Sequence, residues 1–385
     1  MKTDEMPRLK SLFEKRLSIV KAKAEAVFQH RPVDFPPFLV NGAFYHLFGM
    51  EERCIPESYY DDPQVMTGLQ EALCFEQLSS IEDDFVPYLL PWFGTGVLAS
   101  ALGAQVEFAP KADPAVNPRR FALQVPEDIR RLRMPDPERD GLMPKVLSFI
   151  RHMRRHSLLP VGITDCQGPL ATATQLAGYD KLFFWMYDHP GLVHELMEKI
   201  AEALILWVRR QKVESGEPLE ECFGDQLIYT GKHAGVWLSD DDAAMLSPAL
   251  YREFVVPYNS KVLRAFGRGI LHYCGNANHQ IDNFLATEGL IGINNYILHD
   301  ITGTIELKKR IEGRLVLLAV DFTPLDYQDY YTRLFEGLSS AGLIVHSQFS
   351  PTVALTAEGK YVLASRDKAD RKRVFDFICR LRDRR

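Results

Sequence analysis

The sequence predicts an α/β fold, a (β/α)8 TIM barrel with an extra N-terminal helix, and three observations carry that expectation. Eight short apolar runs recur along the 385 residues. Stretches with apolar residues at helical spacing lie between them. Nearly every run then finishes on an amide or a titratable side chain. The runs cover residues 37–40, 85–90, 160–163, 235–238, 269–271, 290–293, 315–320 and 343–345. Most are rich in Val, Ile and Leu and lack apolar–polar alternation, as parallel strands buried on both faces do. Eight repeats favour closure into a barrel over an open doubly wound sheet, the alternative arrangement of the same pattern.

The connecting stretches carry helix signals of their own. Residues 62–81 follow the first run, and 190–214 place Leu192, Leu196, Ile200, Leu204 and Trp207 on one face. Residues 247–266 open on Ser247-Pro248, a cap followed by proline at the first helical position. Residues 328–341 and 370–382 follow the last two runs. Residues 6–29 read as an additional helix covering the bottom of the barrel, so the expected organisation is a helical extension over 1–35 and a barrel over 36–385. Residues 110–144 hold seven prolines and many charges and read as an insertion between the second and third strands.

Composition narrows the function classes. Apolar residues make up 46% and charged residues 25%, the balance of a globular protein, and the net charge of −6 offers no attraction for nucleic acid or an anionic membrane. The basic C-terminus is interrupted by Asp370, Asp376 and Asp383 and reads as a solvated helix face. The first fifteen residues contain no apolar signal-peptide core, and no run of 18 apolar residues occurs, so neither secretion nor a membrane span is expected. Six scattered cysteines do not make a disulfide framework, and a reducing, cytoplasmic setting follows.

Chemistry is expected where the runs end. There stand Asn41, Trp92, Asp165, Asp240 to Asp242, His272 with Cys274, Asn294 with Asn295, Asp321 and His346. Any one of them is equally well a polar residue marking a strand-to-loop boundary. In a barrel, however, the ends converge on one mouth, and the mouth is where barrel enzymes keep their sites. The most specific segment is Gly269-Ile-Leu-His-Tyr-Cys-Gly-Asn276. A His and a Cys two apart on a strand point to the same face, which suits zinc through nitrogen and sulfur; a buried His beside a free core Cys is the plainer alternative. Gly275 allows a sharp turn, and Asn276 offers an amide to a substrate.

Further motifs extend the pattern: Gly168-Pro169 with Gly178, Ser239-Asp-Asp-Asp242 followed by Leu246-Ser-Pro248, Tyr251-Arg-Glu-Phe254 with Pro257-Tyr258, and Ala319-Val-Asp321. In their order and spacing, from about Pro36 to the end, the chain resembles the superfamily that joins uroporphyrinogen decarboxylase with the zinc methyltransferases of corrinoid pathways. Members share the barrel and not one reaction. The resemblance implies zinc on His272, Cys274 and a third ligand. The methyltransferases supply that third ligand as a Cys near the end of the last strand, where this chain reads Val345-His-Ser-Gln-Phe349. His346 is then the first candidate, Asp321 the second and Asp241 the third. The decarboxylase's N-terminal Arg-rich signature has no counterpart near residues 36–49, and its late His-Gly segment is missing around His346.

Three functions compete on these residues. The first is a zinc-dependent methyltransferase that moves a methyl group from a methyl-corrinoid, carried on a separate corrinoid protein, to a small-molecule thiol. Asp240, Asp241 and Asp321 are its candidate catalytic carboxylates, with Asn276, Asp165 and Asn294 facing the substrate. The second is a metal-free decarboxylase of a porphyrinogen or smaller carboxylate, with one of those Asp residues as acid; only Lys232, His233 and His346 are available near the rim as cations. The third is an inert barrel that binds a ligand or a protein. Plainer readings suffice elsewhere: a loop for Trp92-Phe-Gly-Thr-Gly96, which lacks the GxGxxG spacing, a solvated helix face for His152 and His156, and a spectator thiol for Cys166. Phe183, Phe184, Trp185 and Tyr187 pack the helix layer or line a pocket.

Overall fold

The computed structural model of the chain describes residues 6–41, 56–109, 112–297, 300–350, 353–356 and 361–384. Six of the eight apolar runs form one sheet, in the spatial order Phe38–Asn41, Leu343–Gln348, Val316–Phe322, Leu290–Tyr296, Gly269–Tyr273 and Val236–Ser239. Every neighbouring pair is parallel. The remaining two runs extend it by single parallel bridges, Gln167 with Ser239 and Leu89 with Val161. The ring returns to its first strand where the Asp84 N–H donates to the Phe38 carbonyl at 3.1 Å. The arrangement is that of a (β/α)8 barrel whose second and third positions are held by bridges instead of full ladders. Several strands run past their apolar cores, Leu343–Gln348 by three polar residues, because the ladder continues wherever backbone groups find partners.

The seam beside the first strand is closed by side chains. The Phe38 N–H donates to Asp84 Oδ2 and the Val40 N–H to Asp83 Oδ2, each at 2.9 Å, in place of a neighbouring strand's carbonyls. Both carboxylates are buried, and both are answered by the N-terminal helix, Met6–Phe28. From that helix Arg16 reaches Asp83 at 3.1 Å and the carbonyls of Ile81 and Phe85 at 2.8 and 3.3 Å, while Lys23 meets Asp84 at 2.5 Å.

The other helices follow their signals. Pro63–Ser80 is capped by Asp62, whose carboxylate accepts the Gln64 N–H. Pro190–Ser215 stops at Gly216 in the left-handed conformation, φ +78°. The stretch expected as one helix over 247–266 is two, Pro248–Phe254 and Val256–Ala265. Pro257 has no N–H to give to the preceding turn, and the chain breaks at Val255. Within 110–144, the described part contributes the strand Ala115–Val116, paired with Val106–Glu107, and the short helix Pro126–Arg131 before Met143–His156 begins. No helix among the described residues is long and apolar enough to cross a membrane.

One element was not foreseen. Cys222–Asp225 and Ile228–Gly231 pair as an antiparallel hairpin. It precedes the Val236–Ser239 strand and packs from the side where the strands begin. Trp237 donates its indole N–H to Thr230 Oγ1 at 3.3 Å, and Leu227 at the tip is fully buried. The turn holds two non-glycine residues at positive φ, Gln226 at +48° and Leu227 at +64°.

Arg16 is expected to matter most among the seam residues. Burial pushes the Asp83 carboxyl up to about 6, with Arg16 and backbone N–H groups opposing it. A carboxyl raised above its unfolded value costs nothing below that value and costs more as pH climbs through the folded pKa. Arg16→Met removes the opposing charge, so the variant should lose about 3–5 kcal/mol near pH 8 and distinctly less near pH 5. Urea denaturation at the two pH values measures the difference; an equal loss at both would contradict this account of the seam.

Candidate active site

Side chains in register on neighbouring parallel strands point the same way, and successive residues alternate between the barrel interior and the helix layer. Ser239, His272, Asn294 and Leu318 are successive register partners, and the first three form the floor of the site. His272 Nδ1 lies 2.6 Å from Asn294 Oδ1. An amide oxygen can only accept, so the proton sits on Nδ1. The Asn294 amide is itself held, donating to the Leu318 carbonyl at 2.8 Å. His272 Nε2 is thereby aimed at Asp241 Oδ1, 3.4 Å away, and at Cys274 Sγ, 3.6 Å away. One ligand atom from each of Asp241, His272 and Cys274 falls within 4.8 Å of the others.

This is not a relay of nucleophile, base and orienting acid. Such a relay needs the thiol on one ring nitrogen and the carboxylate on the other, whereas here both share Nε2 and the far nitrogen meets a neutral amide. Three donors converging on one point, with the histidine oriented from behind, is the arrangement a metal ion uses. Without an ion, burial works against a protonated His272, but Asp241 and Cys274 outweigh it and hold its pKa well above the usual range. The Asp241 carboxyl is correspondingly lowered: burial would raise it, and His272 overcomes that. Asp165 stands beside the group, its Oδ1 accepting from the Ser239 hydroxyl and its Oδ2 from Gln167, both at 2.8 Å. Burial raises its pKa and the Asp241 charge adds to the rise.

Several expected residues lie elsewhere. Asp240 follows inward-facing Ser239 and so faces the helices, accepting from the Tyr251 hydroxyl at 2.6 Å and from Asn259 at 3.1 Å; burial raises it to about 7. Asp321 alternates with inward Val320 and Phe322 and turns outward to the Tyr330 hydroxyl, while its other oxygen takes the Phe322 N–H at 2.9 Å. Neither opens on the site. His346 does face the interior, but two residues before its strand ends and fully buried, with Nε2 2.6 Å from Asn41 Oδ1. Burial drives it down to about 3 against contacts with Asn41 and Gln226. It is a neutral core histidine outside the convergent group, so of the three candidates for third ligand Asp241 is the one brought into place. Asn294 orients His272, its oxygen on the imidazole and its amide nitrogen on the Leu318 carbonyl. Asn276 accepts the Asn278 N–H at 3.0 Å and lines a cleft of about 90 Å³ with Asn295 and Tyr296.

Lys232 and His233 are at the opposite end from the mouth. Lys232 pairs with Glu25 of the N-terminal helix at 2.7 Å, and His233 stacks on Phe28 at 4.7 Å. The segment 42–55, which includes most of the 36–49 stretch compared with the Arg-rich signature, lies outside the described residues. Cys166 gives its thiol to the Thr164 carbonyl, and His152 and His156 sit together on the helix Met143–His156 with rings 4.4 Å apart. Gly94 is explained by packing, since a Cβ there would meet the Pro114 carbonyl oxygen at 1.9 Å. Trp185 is buried while Phe184 and Tyr187 are exposed, so the aromatic run is only partly in the core.

Sequence reasoning missed the far wall of the mouth. Tyr296 stands with its ring 6.1 Å from His272 and stacks on Phe322 at 5.8 Å, and its hydroxyl donates to Gln348 Oε1 at 3.3 Å. The available signal was parity: Tyr296 is two residues beyond Asn294, and Gln348 is two beyond His346.

A family model for uroporphyrinogen decarboxylase (URO-D) matches residues 89–217, which run from the second strand to the end of the long helix before the hairpin. The uroporphyrinogen decarboxylase of Carboxydothermus hydrogenoformans is 26% identical over 253 residues, covering 62% of this chain and 63% of that protein. That of Methylococcus capsulatus is 32% identical over 117 residues, 29% of this chain and 32% of the relative. That of Desulfotalea psychrophila is 26% identical over 191 residues, 47% and 50%. Each match spans less than two thirds of the relative's length. Over these stretches the chain is similar to uroporphyrinogen decarboxylases, and its parallel ring of strands agrees with the fold expected from the sequence.

Proposed function

We propose that this chain is a zinc-dependent methyltransferase acting on a small thiol, with a methyl-corrinoid on a separate corrinoid protein as donor. The supporting observation is the convergence of Asp241, His272 and Cys274 on one point, with Asn294 fixing the histidine from behind. His272 Nε2, Cys274 Sγ and an Asp241 oxygen would hold the ion. Bound there, zinc would act as a Lewis acid that favours the thiolate form of a thiol at neutral pH. The chain's own part is orientation: Asn294 keeps the Nε2 lone pair pointed inward, and Asp165, held by Ser239 and Gln167, presents a carboxyl beside the group. Tyr296 and Phe322 form an aromatic wall on which an apolar portion of the substrate packs.

A second reading has specific support. The curated relatives named above are decarboxylases, and Asp165 is a buried carboxyl with a raised pKa, the kind of group that delivers a proton to a carbanion left by departing CO₂. The two readings part on metal content and product. Protein grown with ample zinc and assayed with methylcobalamin and a thiol should contain about one zinc per chain and yield the thioether. Zinc-free protein that releases CO₂ from uroporphyrinogen would establish the second reading instead.

Substitutions sharpen the test. Cys274→Ser and Asp241→Ala should each strip zinc and abolish methyl transfer, whereas Cys166→Ser and Asp321→Asn should leave stoichiometry unchanged. Asn294→Ala should weaken zinc affinity about 10–100-fold by releasing the His272 ring; an unchanged Kd by competitive chelator titration would show that the ring needs no such support. Zinc must displace the proton that Asp241 and Cys274 help retain on His272. Affinity should therefore rise with pH, by about tenfold per unit for each proton displaced, until His272 is neutral in the free protein. A flat profile between pH 6 and 8 would exclude His272 as a ligand.

A further inference from the structure

Two buried amide groups on the far wall of the mouth are half used. Asn41 and Gln348 are register partners on adjoining strands, both on the interior face and both almost wholly buried. Each has its oxygen engaged, Asn41 Oδ1 with His346 Nε2 at 2.6 Å and Gln348 Oε1 with the Tyr296 hydroxyl at 3.3 Å. In this arrangement the oxygen of each amide is the atom turned to its neighbour. Asn41 Nδ2 and Gln348 Nε2 are left with no acceptor. Buried N–H groups without partners are costly and uncommon, and two on neighbouring strands at matching height make a pair that an incoming acceptor would complete.

We propose that Asn41 Nδ2 and Gln348 Nε2 together bind a carboxylate or carbonyl oxygen of the substrate. Gln348 lies three strands and Asn41 four strands round the ring from His272, and Tyr296 spans the interval to Gln348, with its ring near the imidazole and its hydroxyl on Gln348. A ligand that placed a thiol at the Asp241–His272–Cys274 group would lay its carbon chain along Tyr296 and Phe322 and end with an oxygen at the two amides. The substrate class is thus a short thiol bearing a carboxylate or amide at its other end. A simple alkanethiol leaves both donors unpaired, and an amine at that end brings further donors where acceptors are needed. This assignment rests on the metal reading for the thiol end only; the oxygen site itself is built from residues outside the metal group.

The test uses zinc-loaded full-length protein titrated with 3-mercaptopropionate, 3-mercaptopropionamide and 1-propanethiol. The first two should bind at least about tenfold more tightly than the third, as a hydrogen-bonding subsite discriminates against ligands that lack its partner. Asn41→Asp and Gln348→Glu keep the acceptor oxygens for His346 and Tyr296 and delete only the donors. Each should erase the preference while leaving zinc content and propanethiol affinity unchanged. Should either carboxylate prevent folding, Gln348→Met and Asn41→Leu provide the same loss of donors. If no zinc is bound, the oxygen site is still testable in the metal-free protein with propionate against 1-propanol, followed by saturation-transfer NMR. Transfer to propionate that disappears in Gln348→Met supports the site. Equal affinity for the three thiols, a preference that survives both substitutions, or no transfer to propionate overturns it.

Discussion

The barrel depends on how its first strand finds a partner on the side away from Leu343–Gln348. A closed ring requires hydrogen bonds all the way round, and at this seam no regular ladder supplies them. Asp83 and Asp84 do so, taking the N–H groups of Val40 and Phe38 on carboxylate oxygens. Two adjacent buried carboxylates repel each other and resist desolvation, so this closure is stable only with cations delivered to the same place. Arg16 and Lys23 come from one face of the N-terminal helix, seven residues apart and so two turns along it. The helix expected to cover the barrel bottom is therefore tied to closure, and closure brings the strand ends to one mouth.

Once the ring is closed, alternation decides which residues reach the site. Ser239, Asp240 and Asp241 are consecutive, yet only Asp241 joins His272 and Cys274. Asp240 is spent on Tyr251 and Asn259 in the helix layer. The same parity sends Asp321 outward to Tyr330, between Val320 and Phe322, which face in. Strand positions can be found from apolar runs alone: six of the eight form the sheet and the other two are joined to it by single bridges, although several strands end beyond their runs. Facing cannot, because it depends on register with neighbours whose exact first residues the runs do not define. Within the His272-x-Cys274 motif the parity is internal, and that pair was legible without any neighbour.

The hairpin of residues 222–231 shows a different limit. Two-residue hairpin turns are recognised by Asn-Gly or a similar pair that tolerates positive φ. Here the positions are Gln226 and Leu227, which carry no such signal and stand in a conformation side chains disfavour. Burial of Leu227 and packing of Thr230 against Trp237 outweigh that local cost. His346 departs from its expected place at the rim for a related reason. Its place near the end of the last apolar run suggested an open rim, but the ladder continues to Gln348 and places the ring one layer deeper, among groups from the first strand and the hairpin.

The nature of the third donor carries the chemical consequence. A site of one imidazole, one thiolate and one carboxylate is harder and less electron-rich than one with two thiolates. If zinc is held there, it would withdraw more charge from whatever occupies its open position, and a bound thiolate would be the weaker nucleophile for it. Fast transfer would then require compensation from the protein around the substrate. Binding energy gathered at a distant end of the substrate is one such source, because it can hold the sulfur in line with the donor's methyl group and replace orientation that would otherwise be lost entropy. The far wall of this mouth has what that requires: an aromatic span from Tyr296 to Phe322, and beyond it two amide donors held in fixed orientation by His346 and the Tyr296 hydroxyl. A harder metal site, if zinc is held there, and a more directive substrate channel would thus complement each other in one barrel mouth.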